Sequence, residues 1–94
     1  SMSAKRILVV CGTGVATSTV VVQKVRAFVE AEGIDATITQ GAVADLVSGG
    51  TNADVIVATT QVPATIAVPV VQGLPFLTGV GADAALAQLR THLV

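Results

Sequence analysis

The sequence contains no tryptophan and no tyrosine, and its two aromatic residues are Phe28 and Phe76. Platforms on which bases could stack are therefore missing. The five basic residues, Lys5, Arg6, Lys24, Arg26 and Arg90, form no run, and the net charge is −1. With neither a cationic track nor stacking groups, the composition argues against nucleic acid as a partner. Cysteine is equally scarce: Cys11 stands alone, so no intrachain disulfide can form. One cysteine and one histidine, His92, are too few for an ordinary zinc site, and His92 reads as a surface or helix-end residue. No apolar run approaches the roughly 18 residues that a spanning helix needs, although 52% of the chain is hydrophobic and the mean hydropathy is +0.81. Direct membrane insertion is not expected. No apolar targeting segment opens the sequence, and with the lone cysteine this favours the reducing cytosol. Ser1 ahead of Met2 reads as an expression leftover. Residues 1–3 are set aside as that or as a disordered terminus, and residues 4–94 are read as a single domain.

What is abundant is valine and alanine, which suits strands buried on both faces. Ile7-Leu8-Val9-Val10 reads as the first strand. A loop rich in Gly, Thr and Ser follows, from Cys11 to Thr19. A helix is then expected from about residues 16–18 to 32. Its apolar face is Val21, Val25, Phe28 and Val29, and Gly33 is its stop. Residues 36–39 form the second strand, and Gln40-Gly41 turn the chain. Residues 43–47 form a short helix ended by Gly49-Gly50. The third strand is expected at 54–58 and the fourth at 68–71, with Pro69 placing that fourth strand at an edge or at its own start. Residues 74–81 read as a loop. A last helix runs from about Ala82 to His92, with Ala82, Ala85, Leu86, Leu89 and Leu93 as its apolar stripe. Asp83 suits its positive end. Alternating strands and helices indicate an α/β fold: a parallel sheet with helices on both faces, in three layers. In such sheets ligands bind beyond the strand C-termini. If strands 1 and 3 are neighbours, Cys11 faces Thr59-Thr60-Gln61.

The chemistry-bearing segment is the loop between the first strand and the first helix. A strand, a glycine-containing turn and a helix N-terminus together point backbone N–H groups at a bound oxyanion. Gly12 and Gly14 permit close backbone approach. Thr13, Thr17, Ser18 and Thr19 add hydroxyl donors, and one of Thr17, Ser18 and Thr19 could serve instead as a helix cap. Cys11 sits at the mouth of this loop. The helix dipole and N–H groups favour its thiolate and lower its pKa from about 8.5. A thiolate beside an anion cradle can attack phosphorus and hold the phosphoryl group. The plainer alternative is a small buried hydrophobe, which is what an isolated cysteine after a valine run often is. The setting of Cys11 favours the reactive reading.

Competing motifs fail on particular residues. A low-molecular-weight phosphatase needs an arginine six positions after the cysteine, and Thr17 stands there. A general acid is also missing, since Asp54 would lie at the wrong end of its strand. A nucleotide-binding P-loop needs a Gly-Lys-Ser/Thr ending, yet no lysine lies between Lys5 and Lys24. A dinucleotide fingerprint lacks its third glycine, because Thr17 again occupies the position. Without a guanidinium clamp or a hydrolytic acid, a phosphocysteine would wait for an acceptor supplied by a partner.

The run from Ile7 through Thr19 resembles the phosphorylation loop of enzyme IIB of the bacterial phosphoenolpyruvate-dependent sugar phosphotransferase system. The galactitol-type branch is the nearest match. The run Val68-Pro69-Val70-Val71-Gln72-Gly73-Leu74-Pro75-Phe76-Leu77-Thr78-Gly79-Val80-Gly81 is similar to that branch too, and the resemblance covers essentially the whole chain. It implies a four-stranded parallel sheet in the order 2-1-3-4. It implies a phosphohistidine–sugar phosphotransferase subunit in which Cys11 accepts the phosphoryl group from enzyme IIA. The group then passes to a sugar or polyol bound by the membrane component, enzyme IIC. Gly12, Thr13, Gly14, Val15, Ala16, Thr17 and Ser18 carry over as the cradle, with no metal and no organic cofactor. Two other readings stay open: a phosphatase or arsenate-reductase-like enzyme, and a non-enzymatic module that binds an anion.

Overall fold

The computed structural model describes residues 5–10, 15–41, 53–62 and 66–93, with residues 15–18 described as backbone. Four strands, β1 (Lys5–Val10), β2 (Ala36–Gly41), β3 (Val55–Ala58) and β4 (Val70–Gln72), form one sheet in the order β2-β1-β3-β4. Every pairing is parallel. Three helices accompany them: α1 (Val15–Glu32), α2 (Leu74–Thr78) and α3 (Ala82–Leu93). The order 2-1-3-4 is the one the family resemblance implied.

Side-chain alternation along the strands builds two apolar layers. Ile7 and Val9 of β1, Val55 and Val57 of β3, and Val71 of β4 point to one face. They pack there against Val21, Val22, Val25 and Val29 of α1, Phe76 of α2, and Ala85, Leu89 and Leu93 of α3. Val10, Ile56 and Ala58 belong to the other face, with Leu8, Val62, Ile66 and Val68 packed on them. All four residues of β3 are buried, as a strand covered on both sides must be. All the described helices stand on the first face. The helix expected at 43–47 lies outside the described residues.

The end of α1 shows how sequence dictates a boundary. Gly33 adopts φ +68°, a conformation that costs a residue with a Cβ about 1–2 kcal/mol. Its N–H donates to the Glu30 carbonyl at 3.2 Å, and that of Ile34 donates to the Val29 carbonyl at 2.9 Å. These two bonds satisfy carbonyls that a helix end otherwise leaves open. Ile34 then packs against the core.

Several expectations need correcting. Residues 74–81 were read as a loop, but Leu74–Thr78 is a helix. Pro75 sits in its first turn, where a missing N–H costs nothing, and Phe76 anchors it in the core. Gln40 and Gly41 belong to β2 rather than to a turn, because they pair with Val9 and Val10. Asp54 precedes β3 instead of opening it. The fourth strand begins at Val70 and reaches Gln72. Pro69 stands just ahead of it and offers only its carbonyl, to Ile56 N–H at 2.9 Å. β4 is an edge strand, as the proline required.

Candidate functional site

Parallel strands bring their C-termini to one rim. The centre of that rim is Val10, the last residue of β1. It is paired with Gly41 on one side and Ala58 on the other. The central strand therefore ends between a glycine and an alanine, the two smallest residues.

The β1–β3 ladder continues one step past the strands. The Thr59 N–H donates to the Val10 carbonyl at 3.0 Å. On the far side of β3, the Gly73 N–H donates to the Ala58 carbonyl at 2.7 Å. Gly73 is buried and leaves no room for a side chain. A Cβ there would lie 3.0 Å from Thr59 Cγ2, 3.1 Å from Val57 Cγ1 and 3.2 Å from the Ala58 oxygen. The carbonyl of Gly73 accepts from Phe76 N–H at 3.0 Å as α2 begins. β3, β4 and α2 are thus pinched together at the rim.

Five positions after Val10, helix α1 starts at Val15. Its first turn, Val15, Ala16, Thr17 and Ser18, carries the N–H groups that no helical carbonyl satisfies. No acidic residue lies in that turn, so the turn itself brings no carboxylate to its positive end. Thr17, Ser18 and Thr19 lie inside the helix rather than capping it, since the helix begins earlier than its sequence suggests. Cys11, Gly12, Thr13 and Gly14 lie outside the described residues. In the sequence Cys11 follows Val10 and Gly14 precedes Val15.

Beside this rim is a cavity of about 730 Å³ lined by Thr59, Thr60, Gln61, Val62, Ile66, Val70 and Gln72. Among the described residues its walls carry hydroxyls, amides and aliphatic groups, and no charge. Arg6 and Asp54 sit at the opposite end of the sheet. Asp54 N–H donates to the Arg6 carbonyl, and the Asp54 carboxylate accepts from Arg6 N–H, each at 2.8 Å. Asp54 is therefore remote from the rim, as expected of the strand end it occupies. His92 is exposed in the last turn of α3.

β1 and β3 are neighbours, which is the condition under which Thr59, Thr60 and Gln61 were expected opposite Cys11. Sequence reading did not rank Thr59 or Gly73 among the site residues. Their signal, a Thr-rich end to one strand and a glycine at the end of the next, acquires meaning only once β3 and β4 are known to be adjacent.

Comparison with known proteins gives a consistent picture. Residues 6–88 match the family described as PTS system, Lactose/Cellobiose specific IIB subunit. The chain is 34% identical over 89 residues to a protein of Escherichia coli (strain K12) named "Putative phosphotransferase enzyme IIB component SgcB", covering 95% of this chain and 97% of that one. It is 29% identical over 90 residues to the PTS system galactitol-specific EIIB component of Escherichia coli O157:H7, and equally to that of Shigella flexneri, covering 95% of this chain and 96% of each relative. Among the described residues no helix is long and apolar enough to cross a membrane. The chain belongs to the family described as PTS system, Lactose/Cellobiose specific IIB subunit, whose members are phosphotransferase components of sugar phosphotransfer.

Proposed function

We propose that Cys11 is the phosphoryl carrier of this IIB component. The observation that carries the reading is the rim geometry: the central strand ends at Val10, and α1 starts five positions later with no carboxylate in its first turn. The residue joined to Val10 is the chain's one cysteine. A sulfur next to free helix N–H groups is biased towards the thiolate. The same N–H groups would accept the charge of a phosphoryl group held on it. Gly12, Thr13 and Gly14, with the first turn of α1, form the cradle in this reading.

The donor is a phosphohistidine of enzyme IIA. Sγ attacks phosphorus, an S–P bond forms and the P–N bond breaks. The proton lost by the thiol is balanced by the one the departing imidazole nitrogen takes up. In the second step a hydroxyl of the acceptor attacks phosphorus, an O–P bond forms and sulfur leaves, recovering a proton. The acceptor is a sugar or polyol held by the membrane component, enzyme IIC. The galactitol-specific relatives, together with the 68–81 run, favour a galactitol-like polyol. Both partners meet the domain in the cytoplasm. With Thr17 at the position where a phosphatase carries arginine, the intermediate is set up to persist until a partner completes the site, and positioning supplies most of the rate.

Incubation with phosphoenolpyruvate, the general relay proteins and a cognate enzyme IIA tests the proposal. The expected result is a gain of about 80 Da, one phosphoryl group, that is lost in Cys11→Ser. Equal labelling of Cys11→Ser would refute the assignment.

A further inference from the structure

The cavity at the rim is built by β4 and by the chain as it leaves β3. Val71 of β4 packs into the layer that holds the helices, so its neighbours Val70 and Gln72 project from the opposite face. They are paired there with Ile56 and Ala58, which belong to the second apolar layer. Residues 59–62 and Ile66 line the remainder. The main chain holds both sides. The Thr59 N–H donates to the Val10 carbonyl at 3.0 Å, and the Gly73 N–H, next to Gln72, donates to the Ala58 carbonyl at 2.7 Å. The space is therefore framed by backbone bonds and largely formed before any ligand arrives, as small-molecule sites usually are.

The lining decides what class of molecule fits. Thr59, Thr60, Gln61 and Gln72 bring hydroxyls and carboxamides, and each of these groups both donates and accepts. Among the described residues no hydrogen bond engages these side chains, so their capacity is open to water or a ligand. Val62, Ile66 and Val70 add aliphatic surface. None of the described lining residues is charged, so a phosphate or carboxylate would leave water there without a counter-charge, which is unfavourable. None is aromatic, so a nucleobase finds nothing to stack on. A wholly apolar ligand would strand the hydroxyls and amides. A polyhydroxylated molecule meets every condition: its hydroxyls donate and accept, it carries no charge, and its C–H groups pack on aliphatic side chains. The volume of about 730 Å³ lies in the range of small-molecule sites, roughly 300–1,000 Å³, and takes a hexitol or hexose together with bridging water.

We infer that this cavity binds a neutral sugar or polyol, with the Gln72 carboxamide as a hydrogen-bonding group and Val70 as a packing surface. Neutral polyhydroxylated molecules are the class that a sugar phosphotransfer component serves, so the site lets this component hold unphosphorylated acceptor by itself. The lining also makes it selective, since a phosphorylated sugar brings a charge for which the described walls offer no partner. The inference uses β4 and the chain that follows β3, and it does not require Cys11 to be the phosphoryl carrier.

The test is an NMR titration of the full, unphosphorylated chain with galactitol, sorbitol, galactose and glucose, and separately with galactitol 1-phosphate. At least one neutral probe should shift the side-chain amides of Gln61 and Gln72 and the methyls of Val62, Ile66 and Val70 along one saturable curve, with a Kd of about 1–10 mM. Read at the same signals, the phosphate ester should bind at least about 10-fold more weakly than galactitol. Gln72→Met keeps the length of the side chain and loses the carboxamide, and should weaken binding about 5- to 10-fold. Val70→Phe fills the cavity and should remove the saturable shifts. Both positions are exposed, and an otherwise parent-like spectrum shows that each variant is folded. No saturable shift with any neutral probe overturns the inference, and so does parent-like binding in either variant. A phosphate ester that binds there as tightly as galactitol overturns the neutral ligand class. Failure of Cys11 to take a phosphoryl label removes the carrier reading and leaves this one standing.

Discussion

Arg6 and Asp54 are tied by two hydrogen bonds at the N-terminal end of the sheet, one through the Asp54 main chain and one through its carboxylate, both at 2.8 Å. The pair joins the strands β1 and β3 at the end opposite the rim. It fixes the register that brings Thr59 beside Val10. Asp54→Ala leaves the main-chain bond and removes the charged acceptor. The expected loss is about 1 kcal/mol for a bond of this kind at an exposed site, or about 4–8 °C in Tm for a domain this small. Urea and thermal unfolding measure it, and phosphoryl uptake should be unchanged.

Leu89 is fully buried where α3 meets the sheet and α1. Leu89→Ala leaves a cavity in a small core and should cost about 2–5 kcal/mol. That is a large part of the stability of a domain this size. The variant should melt far below the parent protein by circular dichroism, with its folded fraction at 37 °C visibly reduced.

Gly33 tests a different term. A Cβ there would meet nothing within 4 Å, so Gly33→Ala cannot act through a clash. Its cost comes from φ +68° alone, about 1 kcal/mol in denaturant titrations. A neutral or stabilising result would contradict the helix-end geometry described above.

Arg90 and Glu32 link the ends of α3 and α1 at 3.2 Å, with 59% and 35% of the side chains exposed. Exposed pairs of this kind contribute little and are screened by salt. Arg90→Ala should therefore change stability by less than about 0.5 kcal/mol at moderate ionic strength, and the difference should shrink further as salt is added.

Much of the architecture can be read from residues whose local and tertiary preferences agree. Val55 to Ala58 is short and wholly apolar, which suits only a strand covered on both faces, and it is one. Val21, Val25 and Val29 repeat at the helical period and are buried, and Gly33 stops the helix where a left-handed residue is needed. Residues 74–78 were harder to read because a Gly-Leu-Pro start looks like a loop. Burial of Phe76 against α1 and α3 turns that start into a helix, and this tertiary contact leaves no periodic trace in five residues. Of the region around the candidate site, the strand ending at Val10 and the helix that follows it were legible in the sequence, while residues 11–14 lie outside the described residues. The close approach of Gly73 to Thr59 was not legible, since it comes from strand order, and strand order pairs residues far apart in the chain.

The central claim is that one sulfur both reacts with alkylating agents and carries the phosphoryl group, so the two modifications must exclude each other. The direct measurement is intact-mass and peptide mapping of the protein treated in both orders with iodoacetamide and phosphorylated enzyme IIA. Alkylation first should abolish phosphoryl uptake, and phosphorylation first should protect Cys11 from alkylation. A protein that carries a full phosphoryl group and an alkylated Cys11 together would contradict the account.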